Sequence, residues 1–276
     1  MFDFRYHVAS LAAVFLALVV GIVIGVGLSG QGIVQESERE RLNEQIAQLE
    51  SDLESARTEL EEQQVAAQFV ESAYDAVMAN RLAGKRIVVV VVGRADHLRS
   101  AIALAIADAG GTLIRLRALK LPVDELAIEQ DGGSEDVREV GRALGQELLA
   151  GGETPLWDAL ASQLVIERVP DGDAPADGVV VVRTADPQQG PTARFLNGLY
   201  EGLGGVLPAV WVDNGKPEET HRRHPSAFTV VHGVDTALGR VTLAVLLETG
   251  VQGEYGPGTD TPIPAIAPVI PPPESG

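Results

Sequence analysis

Ile87-Val88-Val89-Val90-Val91-Val92-Gly93 places six β-branched residues in a row and closes them with a glycine. A strand wetted on one side alternates apolar with polar positions. A run with no polar position is a strand covered on both faces. The residues that follow extend this reading. Residues 98–109 have helical spacing and stop at Gly110-Gly111, and residues 112–119 form a second strand, so the segment predicts a βαβ unit. Further on, residues 134–150 and 156–164 predict helices, and residues 170–177 a loop rich in Pro, Asp and Gly. Residues 178–182 predict another doubly buried strand, 192–202 a helix, 207–212 a strand, 227–231 a fifth strand and 234–248 a helix. Strand–helix alternation of this kind predicts an α/β fold, a Rossmann-like three-layer domain with a mostly parallel sheet, over residues 84–256. Residues 257–276 are proline-rich through Pro271-Pro272-Pro273 and predict an extended or disordered tail.

Upstream of the domain the pattern changes twice. Residues 33–83 predict a coiled-coil stalk. From Leu42 the apolar positions alternate four and three apart: Leu42, Ile46, Leu49, Leu53, Ala56, Leu60, then Gln63, Ala67, Val70, Tyr74 and Val77. Residues 36–62 carry ten acids and three arginines, a net of 3 − 10 = −7. In a parallel homodimer none of the flanking pairs is like-charged, and Asp52 with Arg57 is attractive. The same spacing also suits a single amphipathic helix folded onto the domain.

Residues 8–28 are an uncharged run of 21. At 1.5 Å per residue this is enough to span a hydrocarbon core of roughly 30 Å, and it exceeds the apolar region of a cleaved signal peptide. It reads as a transmembrane signal-anchor. Arg5 before it and the acids after it place residues 1–7 in the cytoplasm and the globular domain outside the cytoplasmic membrane, as a single-pass protein. Ala9, Ala13, Ala17, Gly21, Gly25 and Ser29 recur every fourth residue, and a continuous small face of this kind lets two membrane helices pack closely. Self-association is therefore expected at Ala13, Ala17, Gly21 and Gly25, in register with the stalk.

Composition fits this layout. The 276 residues hold 39 acids against 21 bases, a net of −18, yet mean hydropathy is slightly positive at +0.11. The span supplies the apolar excess. A strongly acidic chain is a poor partner for nucleic acid. The absence of cysteine excludes disulfides, thiolate metal sites and thiol nucleophiles.

Chemistry in such a fold is sought beyond the carboxyl ends of the strands. Arg94, Asp186 and Asp213 stand there and could converge on a small ligand. Asp186 before Pro187 also has the form of a helix N-cap, and Asp213-Asn214-Gly215 that of a turn. Neither G-x-G-x-x-G nor GxxxxGK[ST] follows the first strand, and no G-x-S-x-G occurs, so the chain reads as a non-enzyme with no evident cofactor. His221 and His224 are the closest histidine pair, but Arg222 and Arg223 between them repel a cation, which leaves them weak metal candidates. Cu(I) favours thiolate and thioether, and Met78 is the only methionine after Met1.

The opening Phe4-Arg5-Tyr6-His7-Val8-Ala9-Ser10-Leu11-Ala12-Ala13-Val14-Phe15-Leu16-Ala17-Leu18, with the Gly21/Gly25 spacing after it, resembles the actinobacterial MctB copper transporter family. The order of membrane helix, coiled coil and α/β domain resembles it too. So do Val234-Asp235-Thr236 with Gly239, and Gly253-Glu254-Tyr255-Gly256-Pro257-Gly258. The resemblance implies a role in copper homeostasis or efflux across the cell envelope. It also implies kinship with membrane-anchored proteins that help activate peptidoglycan hydrolases in cell separation. Two expectations follow: a copper-homeostasis envelope protein, and a non-enzymatic dimeric scaffold that binds an envelope protein partner. A third, a sugar- or nucleotide-binding enzyme, would use Arg94, Asp186 and Asp213.

Overall fold

All six residues of the valine-rich run are buried in strand β1 (Arg86–Val92). The computed structural model describes residues 13–24, 31–94, 96–134, 136–169, 173–213, 224–256, 259, 261 and 263–266. Two units are separable, one up to Val65 and one from Ala66 onward.

In the first unit residues 13–24 are helical and exposed, and residues 31–65 belong to helix α1 (Gln31–Met78). Among the described residues no helix is long and apolar enough to cross a membrane. The twelve helical residues 13–24 cover about 18 Å of a roughly 30 Å hydrocarbon core. The rest of the expected span, Gly25 included, lies outside the described residues. Ala13, Ala17 and Gly21 lie in the described helix, and a Cβ on Gly21 would meet nothing within 4 Å. On α1, Leu42, Ile46, Leu49, Leu53 and Leu60 are each 52–66% exposed.

In the second unit β1 is followed by α2 (Asp96–Asp108), β2 (Thr112–Leu119), α3 (Glu125–Gly132), α4 (Val137–Ala150), α5 (Pro155–Leu164) and β3 (Val165–Val169). Then come β4 (Gly178–Arg183), α6 (Gly190–Leu203), β5 (Ala209–Asp213), β6 (Thr229–His232), α7 (Ala237–Thr249) and β7 (Glu254–Tyr255). The strands make one open seven-stranded sheet, β3-β2-β1-β4-β5-β6-β7, parallel except for the antiparallel β2–β3 pair. Alternate side chains leave opposite faces. Val88, Val90, Val92, Val179 and Val181 join Trp157, Leu144, Leu148, Phe195 and Leu199 on one face. Val89, Val91, Val180 and Val182 join Leu98, Ile102, Ile106, Leu243 and Leu247 on the other. The mixed α/β architecture expected from the sequence is therefore present, with a mostly parallel sheet covered on both faces by helices.

Several expected boundaries move, each for a local reason. The helix expected over 134–150 starts at Val137, because the Asp136 carboxylate accepts from the Arg138 N–H at 2.9 Å. The helix expected from 234 starts at Ala237, because the Thr236 hydroxyl accepts from the Gly239 N–H at 3.1 Å. Asp186 is not an N-cap. Helix α6 begins four residues later, at Gly190, with Gln189 at its cap position and a proline in its first turn. Helix α1 ends at Met78, short of the expected 83: Asn80 turns left-handed at φ 61°, and the Leu82 N–H bonds the Ala109 carbonyl instead of continuing the helix. The last seam positions do not face outward. Val70, Tyr74 and Val77 pack against the domain's own core, and the Tyr74 hydroxyl donates to Asp108 at 2.8 Å. Past Gly256, Ile263 packs against that same core, whereas residues 267–276 of the expected tail lie outside the described residues.

Helices α4 and α6 approach through glycines. Gly141 and Gly145 on one face Gly198 and Gly202 on the other, the same G-x-x-x-G spacing as Gly21 and Gly25. A Cβ on Gly198 would overlap the Arg138 carbonyl, one on Gly202 the Arg142 carbonyl, and one on Gly141 the Phe195 carbonyl. On Gly145 it would lie 2.6 Å from the Leu199 oxygen. Glu201 sits between Arg138 and Arg142 at the rim of this contact, and the two guanidiniums, Arg138 first, hold its carboxyl below the usual range.

Gly198→Ala is expected to cost about 3 kcal/mol or more, since backbone must move to admit the methyl. Gly133→Ala meets only open space and should cost about 1 kcal/mol for its positive φ. Urea denaturation of both variants checks the ranking. At the start of the sheet, Arg86 bonds Asp177 through its guanidinium (2.7 Å) and its backbone N–H (2.9 Å), which depresses the Asp177 pKa. A depressed carboxyl contributes stability that is present above its unfolded pKa and lost as pH falls through its folded value. Asp177→Asn should therefore melt below wild type at pH 7. The gap should close as the pH drops below the normal aspartate range, as read by thermal melts across pH.

Candidate functional site

The strand order reverses between β1 and β4, and in open α/β sheets that switch point is where a crevice forms. Here its base is closed. The Thr184 and Ala185 N–H groups both donate to the Val92 carbonyl, at 3.0 and 3.1 Å, and the Thr184 hydroxyl donates to the Arg94 carbonyl at 2.8 Å. Gly93, at φ 106°, makes this approach possible: a Cβ there would lie 2.6 Å from the Ala185 nitrogen.

The three residues singled out in the sequence therefore stand at the carboxyl ends of three neighbouring strands. Arg94 is exposed after β1, Asp186 is exposed after β4, and Asp213 is half-buried at the end of β5. None of them lines the cavity that opens nearby. That cavity, of about 340 Å³, lies beside the end of β4 and one face of α6. Ala193, Leu196, Asn197 and Tyr200 come from the helix, at the three- and four-residue spacing of one face, and Arg183, Pro187 and Gln188 come from the strand end and the loop. The loop is held by the Gln188 amide, which donates to the Asp186 carbonyl at 2.8 Å.

Behind the cavity is an aromatic cluster. Tyr200 meets Trp211 edge-on at 5.0 Å between centroids, and Phe228 closes the triangle at 6.3 and 5.7 Å. The Tyr200 hydroxyl is buried without a hydrogen-bond partner, and so is the Trp211 indole N–H. Burial pushes the Tyr200 pKa up to about 12 against the opposing pull of the Arg183 charge, so the phenol stays protonated. Sequence reasoning missed this group, because a tyrosine on a helix's apolar face carries no local mark of what it faces.

The potential metal ligands among the described residues stand apart from one another, singly or in pairs. Met78 is fully buried in the core, and His97 is exposed on α2. His224 is half-buried, with Nδ1 3.3 Å from the Pro225 carbonyl, while His221 lies outside the described residues. His232 is buried, with Nε2 2.9 Å from a Glu254 carboxylate oxygen. Among the described residues no three His, Cys, Asp or Glu side chains group as a metal site would require.

The closing sequence motifs have structural work. Thr236 caps α7, and Gly239 lets the Gly233 carbonyl pass where any Cβ would overlap it. Glu254 binds His232, and Gly256, at φ 124°, lies against the His232 backbone. A family model described as "Copper transport outer membrane protein, MctB" matches residues 1–264. No curated protein gives a significant match to the chain.

Glu254→Ala strips the buried imidazole of its partner. It should lower stability by about 1–3 kcal/mol, read from the denaturation midpoint, with Glu254→Gln recovering part of the loss.

Proposed function

We propose, from the premise that this chain belongs to the MctB family of copper transport outer membrane proteins, that it is a membrane-anchored envelope protein serving copper homeostasis as a non-enzymatic dimeric scaffold. The family match over residues 1–264 carries the reading. The uncharged run 8–28 is the single-pass anchor, with residues 1–7 in the cytoplasm and the α/β domain outside the cytoplasmic membrane.

Two further features support a scaffold over a carrier that ligates the metal. Leu42, Ile46, Leu49, Leu53 and Leu60 expose a heptad-spaced apolar seam, and a seam of that spacing is covered in water by a second helix. The described residues supply no thiolate, no exposed thioether and no grouped imidazoles, which are the ligands copper selects. The partner of the dimer is an envelope protein that acts on copper or on the wall around it.

Leu49→Asp or Leu53→Asp should reduce the sedimentation mass of the full-length protein in detergent from dimer to monomer. An unchanged mass overturns the dimer. Calorimetry with Cu(I) and Cu(II) should show no binding tighter than about 10 μM. Tight stoichiometric uptake would overturn the scaffold in favour of direct carriage. Cells lacking the protein should grow poorly in excess copper and be restored by wild type but not by Leu49→Asp. Unaltered copper tolerance would remove the homeostatic role.

A further inference from the structure

The two borders of the sheet are finished in different ways. A strand at a border presents unpaired N–H and C=O groups, and charged side chains deter a second strand from joining it. Strand β3 carries such charges: Glu167 pairs with Arg99, and Arg168 with Asp158 at 2.6 Å. A two-fold antiparallel pairing of two copies sets one central residue against itself. Centred on Glu167 or on Arg168, it would oppose like charges and lose stability.

At the other border the strand in need of protection is β6. Thr229, Val230, Val231 and His232 are all buried, and none carries a fixed charge. With Ala227 and Phe228 before them they form a six-residue segment rich in β-branched and aromatic side chains, without proline or glycine. That composition pairs readily, strand on strand, between chains. A two-fold pairing of β6 centred on Thr229, Val230 or Val231 opposes no fixed charges.

What covers this edge is short and is fastened mainly from outside the ladder. Strand β7 contributes two register pairs, Val230 with Glu254 and Val231 with Tyr255. The Val230 N–H donates to the Gly253 carbonyl at 2.9 Å, and the Thr229 hydroxyl donates to the Val251 carbonyl at 2.8 Å. His232 Nε2 lies 2.9 Å from a Glu254 carboxylate oxygen, and the Tyr255 ring enters the core beside Val231. Gly256 then turns so close to β6 that a Cβ would lie 2.8 Å from the His232 carbonyl oxygen. A strand of two residues offers a newcomer little ladder of its own, which is one way natural sheets blunt an edge.

We infer that residues 251–256 are an edge guard, and that the edge of β6 beneath them is a latent self-association surface whose partner is β6 of a second copy of this chain. This goes beyond the proposed scaffold, whose contact is the stalk seam, and does not depend on it.

Full-length Gly256→Val in detergent displaces the guard, since its side chain has no room against His232. A chain ended after Gln252 removes the guard outright. Both are compared with the intact chain by thermal melting, sedimentation mass and hydrogen exchange. Each should keep a cooperative melt. At about 100 μM each should reach roughly twice the intact mass or more. The amides of β6 should exchange faster than in the intact chain when dilute and regain protection as the mass grows. Adding Thr229→Lys, a charge on the uncovered edge, should return the mass to the intact value. If only one variant keeps its melt, that one decides. An intact mass in a variant that has lost β6 protection would overturn the guard. So would self-association that leaves β6 unprotected or that persists with Thr229→Lys, because the contact would then lie elsewhere. Loss of the cooperative melt in both variants would overturn it too, by making residues 251–256 a part of the core.

Discussion

Two neighbouring strands with no polar side chain between Val88 and Val92 or between Val179 and Val182 set the terms for the whole domain. Each valine must find cover, and alternate valines point to opposite faces. One helical layer cannot serve both. The sequence therefore needs α4, α5 and α6 on one side and α2 and α7 on the other, and it needs them close. On the α4–α6 side closeness comes from removing side chains altogether: four glycines let two helices meet backbone to backbone, leaving Phe195, Leu199 and Leu144 free to fill the space above the sheet. Because α6 is fixed this way, its neighbouring face, with Ala193, Leu196, Asn197 and Tyr200, is fixed too. The cavity wall is thus a consequence of the packing.

The core was legible because burial on both faces leaves a compositional trace. A run of valines has one common explanation, and a glycine after it has another. Thr112–Leu119 matched its expected bounds although Arg115 and Arg117 lie within it. Both arginines are fully buried, donate to backbone carbonyls, and Arg117 also covers the Trp157 ring at 5.6 Å. Strand β3 was not legible. Val165-Ile166-Glu167-Arg168-Val169 pairs on one side only, so its charges face water and its pattern resembles a loop. Strand β7 is two residues long and has no period to detect. The caps at Asp136 and Thr236 are present in the sequence, but Ser134-Glu135 before the first and Val234-Asp235 before the second are compatible with a helix, so pattern alone starts each helix three residues early.

The site was less legible than the fold for a related reason. Arg94, Asp186 and Asp213 stand at strand ends, where ligands go in such folds. Which of several loop residues faces a cavity depends on how the loop returns to its helix. Here the return delays α6 to Gly190 and turns Pro187 and Gln188 toward the cavity. Tyr200 reaches the same wall from ten residues further along. The paired glycine spacings in α4 and α6 could have been found, since they repeat the spacing noticed at Gly21 and Gly25. That spacing is associated with lipid because water-soluble helices usually gain more by burying side chains than by omitting them.

The last turns of α1 and the residues just after them bear on how this chain can be divided. Met78 and Leu82 are fully buried, Arg81 is buried against Glu248 at 2.8 Å, and Tyr74 lies under the Arg240 guanidinium at 5.1 Å. A fragment started at the first strand would therefore carry an unfilled groove where these residues belong. The natural cut for expression lies upstream of Val70, within a helix and not at its end. The same fact limits recombination. Val70, Tyr74, Val77, Met78 and Leu82 belong to the domain's own core, so the domain cannot be exchanged among relatives without them.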